Sequence, residues 1–386
     1  MNARSQPAPL AAPAPATGRP PAPLKVTHFP PGVSGLKLFL MMPEFRKDAL
    51  GTFARLWEQF GDVVCFRGLW TSYMLMAPQH IEHVLHANSR NYRKGRQYKT
   101  LKSFAGNGLF VSEGDFWLRQ RRLAQPVFHR QRIEGFAKVM TDSTEAMLER
   151  WRPAAERGEP LEVVSEMTRL TLGIVGRALF STDLGERESG TVGDSFEVIR
   201  NYAMRRIFAV VPLPESLPTP ANLRYRAALR SVDKLIYALI DERRRQKNAA
   251  PDLLSMLIEA RDAETGGGMN DRQLRDEAAT IIGAGYETTT QALAWTWYLL
   301  SQHPRAGQKL RAELSEVLGG RTPTFEDLPK LRYTRMVFEE AMRLYPPAWA
   351  IGRAAIGADE IGGYRVAPDS EILLFPYLTH RHPDYW

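Results

Sequence analysis

Between Leu274 and Leu300 the chain is apolar except for charges at Arg275, Asp276, Glu277 and Glu287, the first three bunched at its start. This pattern predicts a helix over 270–303. At ~1.5 Å rise per residue it is about 50 Å long, enough to cross a large domain. Asn270 and Gln273 read as a capping box. Asp271, Asp276 and Glu277 suit the positive end of the helix dipole, and Pro304 closes the run. The near-absence of charge from Ala278 to Leu300 predicts burial on almost every side. Only the centre departs from this, at Ala284-Gly285-Tyr286-Glu287-Thr288-Thr289. A glycine there costs about 1 kcal/mol relative to alanine, and a buried carboxylate must be paired or shift its pKa. Hydroxyls that bond back to the preceding turn can open a local bulge of the kind found at functional sites. The plainer account gives Gly285 to close helix packing and Glu287 to a buried arginine. The three features together favour a site.

Elsewhere the periodicity predicts helices over 49–60, 78–87, 113–125, 132–152, 163–180, 221–247, 305–318 and 333–344. A further helix and a Pro-punctuated loop fall within 194–220. Short strands are expected over 63–67, 73–76, 361–366 and 371–375. The stretch 88–112 reads as a long, basic connection without structure of its own, the usual profile of a binding or lid element. No internal repeat is visible. The fold class is therefore mainly α with a small discontinuous β region, as one domain over 31–386. Residues 1–30, rich in Pro and Ala, read as a disordered leader.

Composition narrows this picture without redirecting it. Charged residues make up 24% of the 386 and hydrophobic ones 44%, ordinary for a soluble globular protein. The net charge, 51 − 43 = +8, favours an acidic partner or an anionic surface. No compact Lys/Arg block with interleaved aromatics supports nucleic-acid binding. The single cysteine, Cys65, rules out an intramolecular disulfide and fits a reducing compartment. The apolar run 38–42 is far too short to span a bilayer, and the leader lacks a signal-peptide core. A cytoplasmic chain with no stable membrane insertion is expected.

Candidate chemistry lies in three places besides the central helix. Trp117 and Arg121, at i and i+4, put an indole N–H and a guanidinium on one side of a helix, where they could hold a carboxylate or phosphate or simply stack at the surface. Glu340 and Arg343 share a helix face and precede Leu344-Tyr345-Pro346-Pro347, which argues for a buried pair fixing the chain beyond the helix. His80, His83 and His86 raise zinc, but no acid or cysteine accompanies them, so a solvated face is the better reading. His380 and His382 read as structural. Hydrolase and nucleotide-binding motifs are missing from any strand–turn–helix context.

In order and spacing these pieces resemble the cytochrome P-450 family of haem-thiolate monooxygenases, from about Pro43 to the last residue. Ala284 to Thr289 resembles its oxygen-activating helix, Glu340 to Pro347 its E-x-x-R helix, and Trp117 to Arg121 its W-x-x-x-R helix. Ile351-Gly352-Arg353 followed by Ile361-Gly362-Gly363-Tyr364, and then His380-Arg381-His382-Pro383, match later segments of the family. The resemblance implies insertion of one oxygen atom from O2 into an apolar substrate. It implies haem, and NAD(P)H acting through a ferredoxin or flavodoxin with its reductase, on a monomer. Thr288 would hydrogen-bond oxygen at the iron, and Glu287 would help deliver protons. Ala284 and Gly285 would keep that face open. Trp117, Arg121 and Arg353 would neutralise the haem propionates, and Glu340 and Arg343 would support the opposite side. The connection 88–112, the region 196–220 and Trp349-Ala350-Ile351 would line the pocket. Arg119, Arg122, Arg130 and Arg132 would offer a basic face to an acidic carrier or simply meet solvent. Arg93, Lys94, Arg96 and Lys99 could hold a fatty-acid carboxylate.

The family's iron ligand is a cysteine in a glycine-containing loop, which is expected beyond Trp386, so no metal ligand is assigned. Cys65, in a strand near the N-terminus, is expected to be a core residue. The expectation is therefore a C-terminally truncated member or fragment, with a haem-free, inactive apolar-ligand-binding remnant as the alternative.

Overall fold

Residues 28–184, 191–207, 209, 214–245 and 252–386 are described by a computed structural model, with the side chains at 127, 131, 132, 191 and 192 excepted. The expected leader therefore lies almost wholly outside the described residues.

Short apolar runs, buried on both faces, build the sheet. Its strands are β1 (Gly32–Ser34), β2 (Val63–Arg67), β3 (Thr71–Leu75), β4 (Tyr92–Lys94), β5 (Ile351–Ala355), β6 (Asp359–Ile361), β7 (Tyr364–Val366) and β8 (Glu371–Leu374). Six of them form one sheet in the order β1-β2-β3-β8-β5-β4, and β6 and β7 form a separate hairpin. Val63, Cys65, Tyr73, Leu75, Ile372 and Leu374 bury one sheet face. Val64, Phe66 and Met74 point the other way, against Phe53 and Phe375. Each such side chain, fully buried, stabilises the fold by about 1.5–3 kcal/mol. The β6–β7 turn is Gly362-Gly363, both at positive φ (59° and 78°), which other residues adopt at a cost. The expected single strand over 361–366 is thus two strands and a turn.

The helical core gathers around the central helix, Asp271–Gln302. Its capping box forms as expected, with Asn270 Oδ1 accepting from Gln273 N at 2.9 Å and Gln273 Oε1 from Asn270 N at 2.9 Å. Leu274, Ala278, Ile282 and Tyr286 pack with Leu172, Leu179, Phe180, Phe196, Tyr225, Val232 and Ile236 from the helices Val163–Phe180, Thr191–Ile207 and Pro220–Arg245. Among the described residues no helix is long and apolar enough to cross a membrane.

Four expectations need correction. The central helix is not buried all round: Ala284, Thr288, Thr289, Trp295, Trp297 and Tyr298 are exposed. Lack of charge marked a second apolar face, not a second packing partner. Nor does the helix bulge. Thr288 and Thr289 donate to the carbonyls of Ala284 (2.7 Å) and Gly285 (2.8 Å), and the turn stays α-helical because the hydroxyls share those carbonyls without displacing the backbone. The connection 88–112 is structured, holding β4 and the helix Arg96–Ala105. Glu340 and Arg343 pair at 2.6 Å, but the Glu340 side chain is 54% exposed. Arg343 still fixes the later chain, donating to the carbonyl of His380 at 2.6 Å.

Candidate active site

Several segments converge on a cleft of about 500 Å³. β4 supplies Lys94, and the helix Arg96–Ala105 supplies Tyr98. The following loop brings Leu109 and Phe110, and the helix Gly114–Ala124 brings Trp117 and Arg121. The central helix contributes Thr280, Ile281, Ala284 and Gly285, and β5 contributes Arg353. Trp117, Arg121, Ala284, Gly285 and Arg353, singled out in the sequence from distant motifs, therefore share one cleft.

A buried acidic pair seats the loop on the helix. Asp276 Oδ2 accepts from Asn107 N at 2.8 Å, and Glu277 accepts from Leu109 N at 3.1 Å and Gln120 Nε2 at 3.0 Å. Burial raises the Glu277 pKa, and these hydrogen bonds oppose it. Both acids looked like dipole compensation in the sequence. Their partners are backbone N–H groups about 170 positions upstream, which no local pattern reveals.

Three cations line the cleft, Lys94, Arg121 and Arg353. Lys94 and Arg353 are directly opposed across β4 and β5, an arrangement that like charges disfavour. Lys94 Nζ donates to the carbonyls of Leu109 (2.9 Å) and Ser112 (2.7 Å), and burial pushes its pKa down to about 8. Arg353 donates to its neighbour Gly352 O at 2.8 Å and reaches Tyr98 Oη at 3.4 Å. The Arg121 guanidinium carbon lies 5.6 Å from the centre of the Trp117 ring. Among the described residues, none of these three cations forms a salt bridge with a carboxylate. An apolar-walled cleft lined by these cations suits a largely apolar group carrying carboxylates, whose binding would relieve the Lys94–Arg353 repulsion.

Gly285 serves both readings: it borders the cleft, and a Cβ there would lie 3.1 Å from Val175 of the neighbouring helix. Thr288 is one turn further along the exposed stripe that starts at Ala284. Glu287 turns away, its Oε1 3.7 Å from Arg200 Nε; burial raises its pKa and Arg200 opposes the rise. Arg200 was not singled out in the sequence, since it lies 87 positions upstream on another helix.

Other candidates lie elsewhere. Trp349 and Ala350 pack against the sheet beside Phe375, and Phe196 is buried against Tyr286, so none of these lines the cleft. Part of the stretch 196–220 lies outside the described residues. The basic face is largely spent internally: Arg119 donates to the carbonyls of Gly267 and Gly268, Arg122 pairs with Glu264 and Asp262, and Arg130 pairs with Glu134. The Arg132 side chain lies outside those described. Arg93 pairs with Asp369, and Arg96 stacks on Trp70, which disperses the carboxylate site imagined around Lys94. Among the described residues no His/Cys/Asp/Glu group could hold a metal ion; His83 instead meets Asp359 at 2.8 Å, and His382 meets Asp62 at 3.0 Å. Cys65 is buried in β2, away from the cleft, and its pKa is pushed up to about 11 by burial.

Against this geometry, the family model described as Cytochrome P450 matches residues 30–386. The chain belongs to the cytochrome P450 family. Cyclooctatin synthase of Streptomyces melanosporofaciens is 40% identical over 326 residues, covering 84% of this chain and 70% of the relative. Cyclooctat-9-en-7-ol 5-monooxygenase from the same organism is 36% identical over 325 residues, with the same coverage. Pentalenene oxygenase of Streptomyces avermitilis is 35% identical over 329 residues, covering 84% of this chain and 71% of the relative. The chain is accordingly a haem-dependent monooxygenase, drawing on NAD(P)H through redox partners, with the mainly α fold and small sheet expected of it.

Proposed function

We propose that the cleft holds the haem with its carboxylates among Lys94, Arg121 and Arg353, and that the protein oxygenates an apolar terpenoid skeleton. The observation that carries this is that Lys94, Arg121 and Arg353, which form no salt bridge among the described residues, line one cleft together with Ile281, Ala284 and Gly285. Similarity to enzymes named for cyclooctatin and pentalenene supports the substrate class. When bound, haem supplies the activation of dioxygen and the transfer of one oxygen atom.

The chain's own groups supply the setting. The Trp117 indole N–H and the Arg121 guanidinium offer donors to one carboxylate, and Arg353 and Lys94 to the other. Ala284 and Gly285, with minimal side chains, let a flat group approach the helix. Thr288 Oγ1 holds its proton toward Ala284 O and can redirect it toward a ligand by rotating about χ1. Glu287, its pKa raised by burial, gives up its proton at higher pH than an ordinary carboxylate, and Arg200, 3.7 Å away, opposes that rise. Glu340 and Arg343 act at a distance by fixing the chain at His380. Residues 31–386 belong to one P450 domain, in a cytoplasmic monomer reduced by a ferredoxin or flavodoxin. Cys65 is a core residue and not the iron ligand.

Thr288→Ala tests the assignment of the proton-handling residues. In haem-loaded protein supplied with electrons and substrate, haem uptake should be retained while a larger share of electrons appears as peroxide. Coupled product formation equal to the parent's would remove Thr288 from the role.

A further inference from the structure

We propose that Asp359, acting through Tyr92, is the positioning residue for Lys94, holding β4 so that this lysine stays in the cleft. The inference rests on the use of the cleft proposed above and extends it to groups outside the cleft. β4 is an edge strand of three residues, and its Lys94 stands opposite Arg353 of β5. So short an edge strand is prone to fray, and the opposed cations push it further that way. A hold from outside the ladder is needed.

Asp359, the first residue of β6, provides it. It is 8% exposed. Its Oδ2 accepts from Tyr92 Oη, from His83 Nε2 at 2.8 Å and from Asn88 Nδ2 at 3.0 Å, and its Oδ1 accepts from Glu360 N at 2.8 Å. Burial acts to raise the Asp359 pKa, but the bonds from Tyr92 and His83 outweigh it, and the carboxyl lies below its ordinary range. The Tyr92 hydroxyl is pushed well above its ordinary range by burial and by Asp359, so it remains a donor. Asn91 adds a clasp one residue away, its Oδ1 accepting from Gly357 N at 2.8 Å and its carbonyl from Ile356 N at 2.8 Å.

Side chains two apart on a strand share a face, so Tyr92 and Lys94 point the same way, opposite Ala355 and Arg353. The Tyr92 ring packs in the core with Val63, Val84 and Ala355. Phenylalanine would bury the same ring without a buried charge beside it, and apolar replacements of buried polar pairs cost little stability. What the Asp359 bond adds is therefore placement. It stops the ring from sliding along the core, and so fixes the point from which Lys94 Nζ reaches the carbonyls of Leu109 and Ser112.

The first arm of the test needs no haem. Trace acetylation of Lys94 by acetic anhydride, read by mass spectrometry across pH, follows its free amine, with a midpoint expected at about 8 in the parent. Tyr92→Phe keeps the ring and removes the bond. It should let Lys94 toward solvent and raise that midpoint by about one unit, a roughly tenfold change in the proton equilibrium. His83→Ala, at a partly exposed position, should shift it the same way, and His83→Gln, which restores a donor, should return it to the parent's value. Asp369→Asn loosens the exposed Arg93 pair on the strand's other face and should leave it unchanged. A role confined to stability would lower the urea midpoint of Tyr92→Phe without moving the lysine's, and would overturn the proposal.

The second arm is haem uptake followed by tryptophan quenching. Tyr92→Phe should weaken it about fivefold, and Tyr92→Phe combined with Lys94→Ala should bind no more weakly than Lys94→Ala alone, since the two act as one unit. Additive losses in the double variant would also overturn the proposal. A parent without saturable haem uptake would remove the function proposed for the cleft, and the lysine midpoints would still decide whether Asp359 positions Lys94.

Discussion

Replacing Gly108 by alanine strikes the contact that seats the cleft loop on the central helix. An added Cβ would stand 2.2 Å from Thr280 Oγ1, 2.6 Å from the carbonyl oxygen of Asp276 and 3.1 Å from that of Ala105. Thr280 can rotate away, but the two backbone oxygens cannot. Restoring an ordinary contact of 3.4 Å to Asp276 O requires the loop to lift by about 0.8 Å. A lift of that size stretches the Asn107 N–Asp276 bond from 2.8 Å, and the Leu109 N–Glu277 bond from 3.1 Å, past useful hydrogen-bonding distance. Overpacking costs about 1–3 kcal/mol and each hydrogen bond to a charged group about 1.5–3 kcal/mol, and partial relaxation makes these less than additive. A loss of roughly 2–4 kcal/mol is expected, read as a lower urea midpoint at unchanged m-value. Gly135→Ala is the control, since that helical position is exposed with nothing within 4 Å of an added Cβ. It should gain up to about 1 kcal/mol from helix propensity. If Gly108→Ala matches the parent within about 0.5 kcal/mol, the loop does not rest on the helix as described.

Two further outcomes follow from the buried titratable groups. Burial raises the Glu371 pKa despite Arg96 N donating to Oε2 at 3.0 Å, so ionising it opposes folding. Its contribution is fully present below the ordinary Glu value and is lost as pH rises through the raised folded value. Glu371→Gln, which keeps the acceptor, should be more stable than the parent at pH 7 and indistinguishable from it in acid below the ordinary Glu range; equal stability at both would contradict the burial argument. For Cys65, a pKa pushed up to about 11 leaves about one thiol in a thousand ionised at pH 8. Native protein should resist thiol reagents that label it at once in urea, and equal rates in the two states would place Cys65 at the surface.

What could be read from the sequence follows the range of the interaction that determines it. The cap at Asn270 and Gln273 is local, and both the start and the length of the central helix come out as expected. Trp117 and Arg121 stand at i and i+4 on one helix, so their pairing was legible before their surroundings were known. β4 was hidden because three residues carry no period and their partners are Arg353 to Ala355. The helix Arg96–Ala105 was hidden for a related reason. Arg96, Lys99 and Lys102 mark a solvent face and Tyr98, Leu101 and Phe104 an inner one, but Gly95 provides no side-chain cap. Glu371, far along the chain, accepts from Arg96 N instead. The half-exposed central helix was misread because composition cannot tell an apolar face that packs from one that remains open. Trp295, for instance, stacks on Tyr345 at 4.1 Å yet stays partly exposed.

The central claim is that the cations of the cleft hold the carboxylates of haem. Its most direct test is a haem titration of the 386-residue chain followed by quenching of tryptophan fluorescence, comparing the parent with Arg121→Ala combined with Arg353→Ala. Each guanidinium lost removes charge-assisted bonds worth about 1.5–3 kcal/mol, so the account predicts saturable one-to-one uptake by the parent, weakened at least tenfold in the double variant. No saturable uptake, or uptake that ignores the loss of both guanidinium groups, would contradict it.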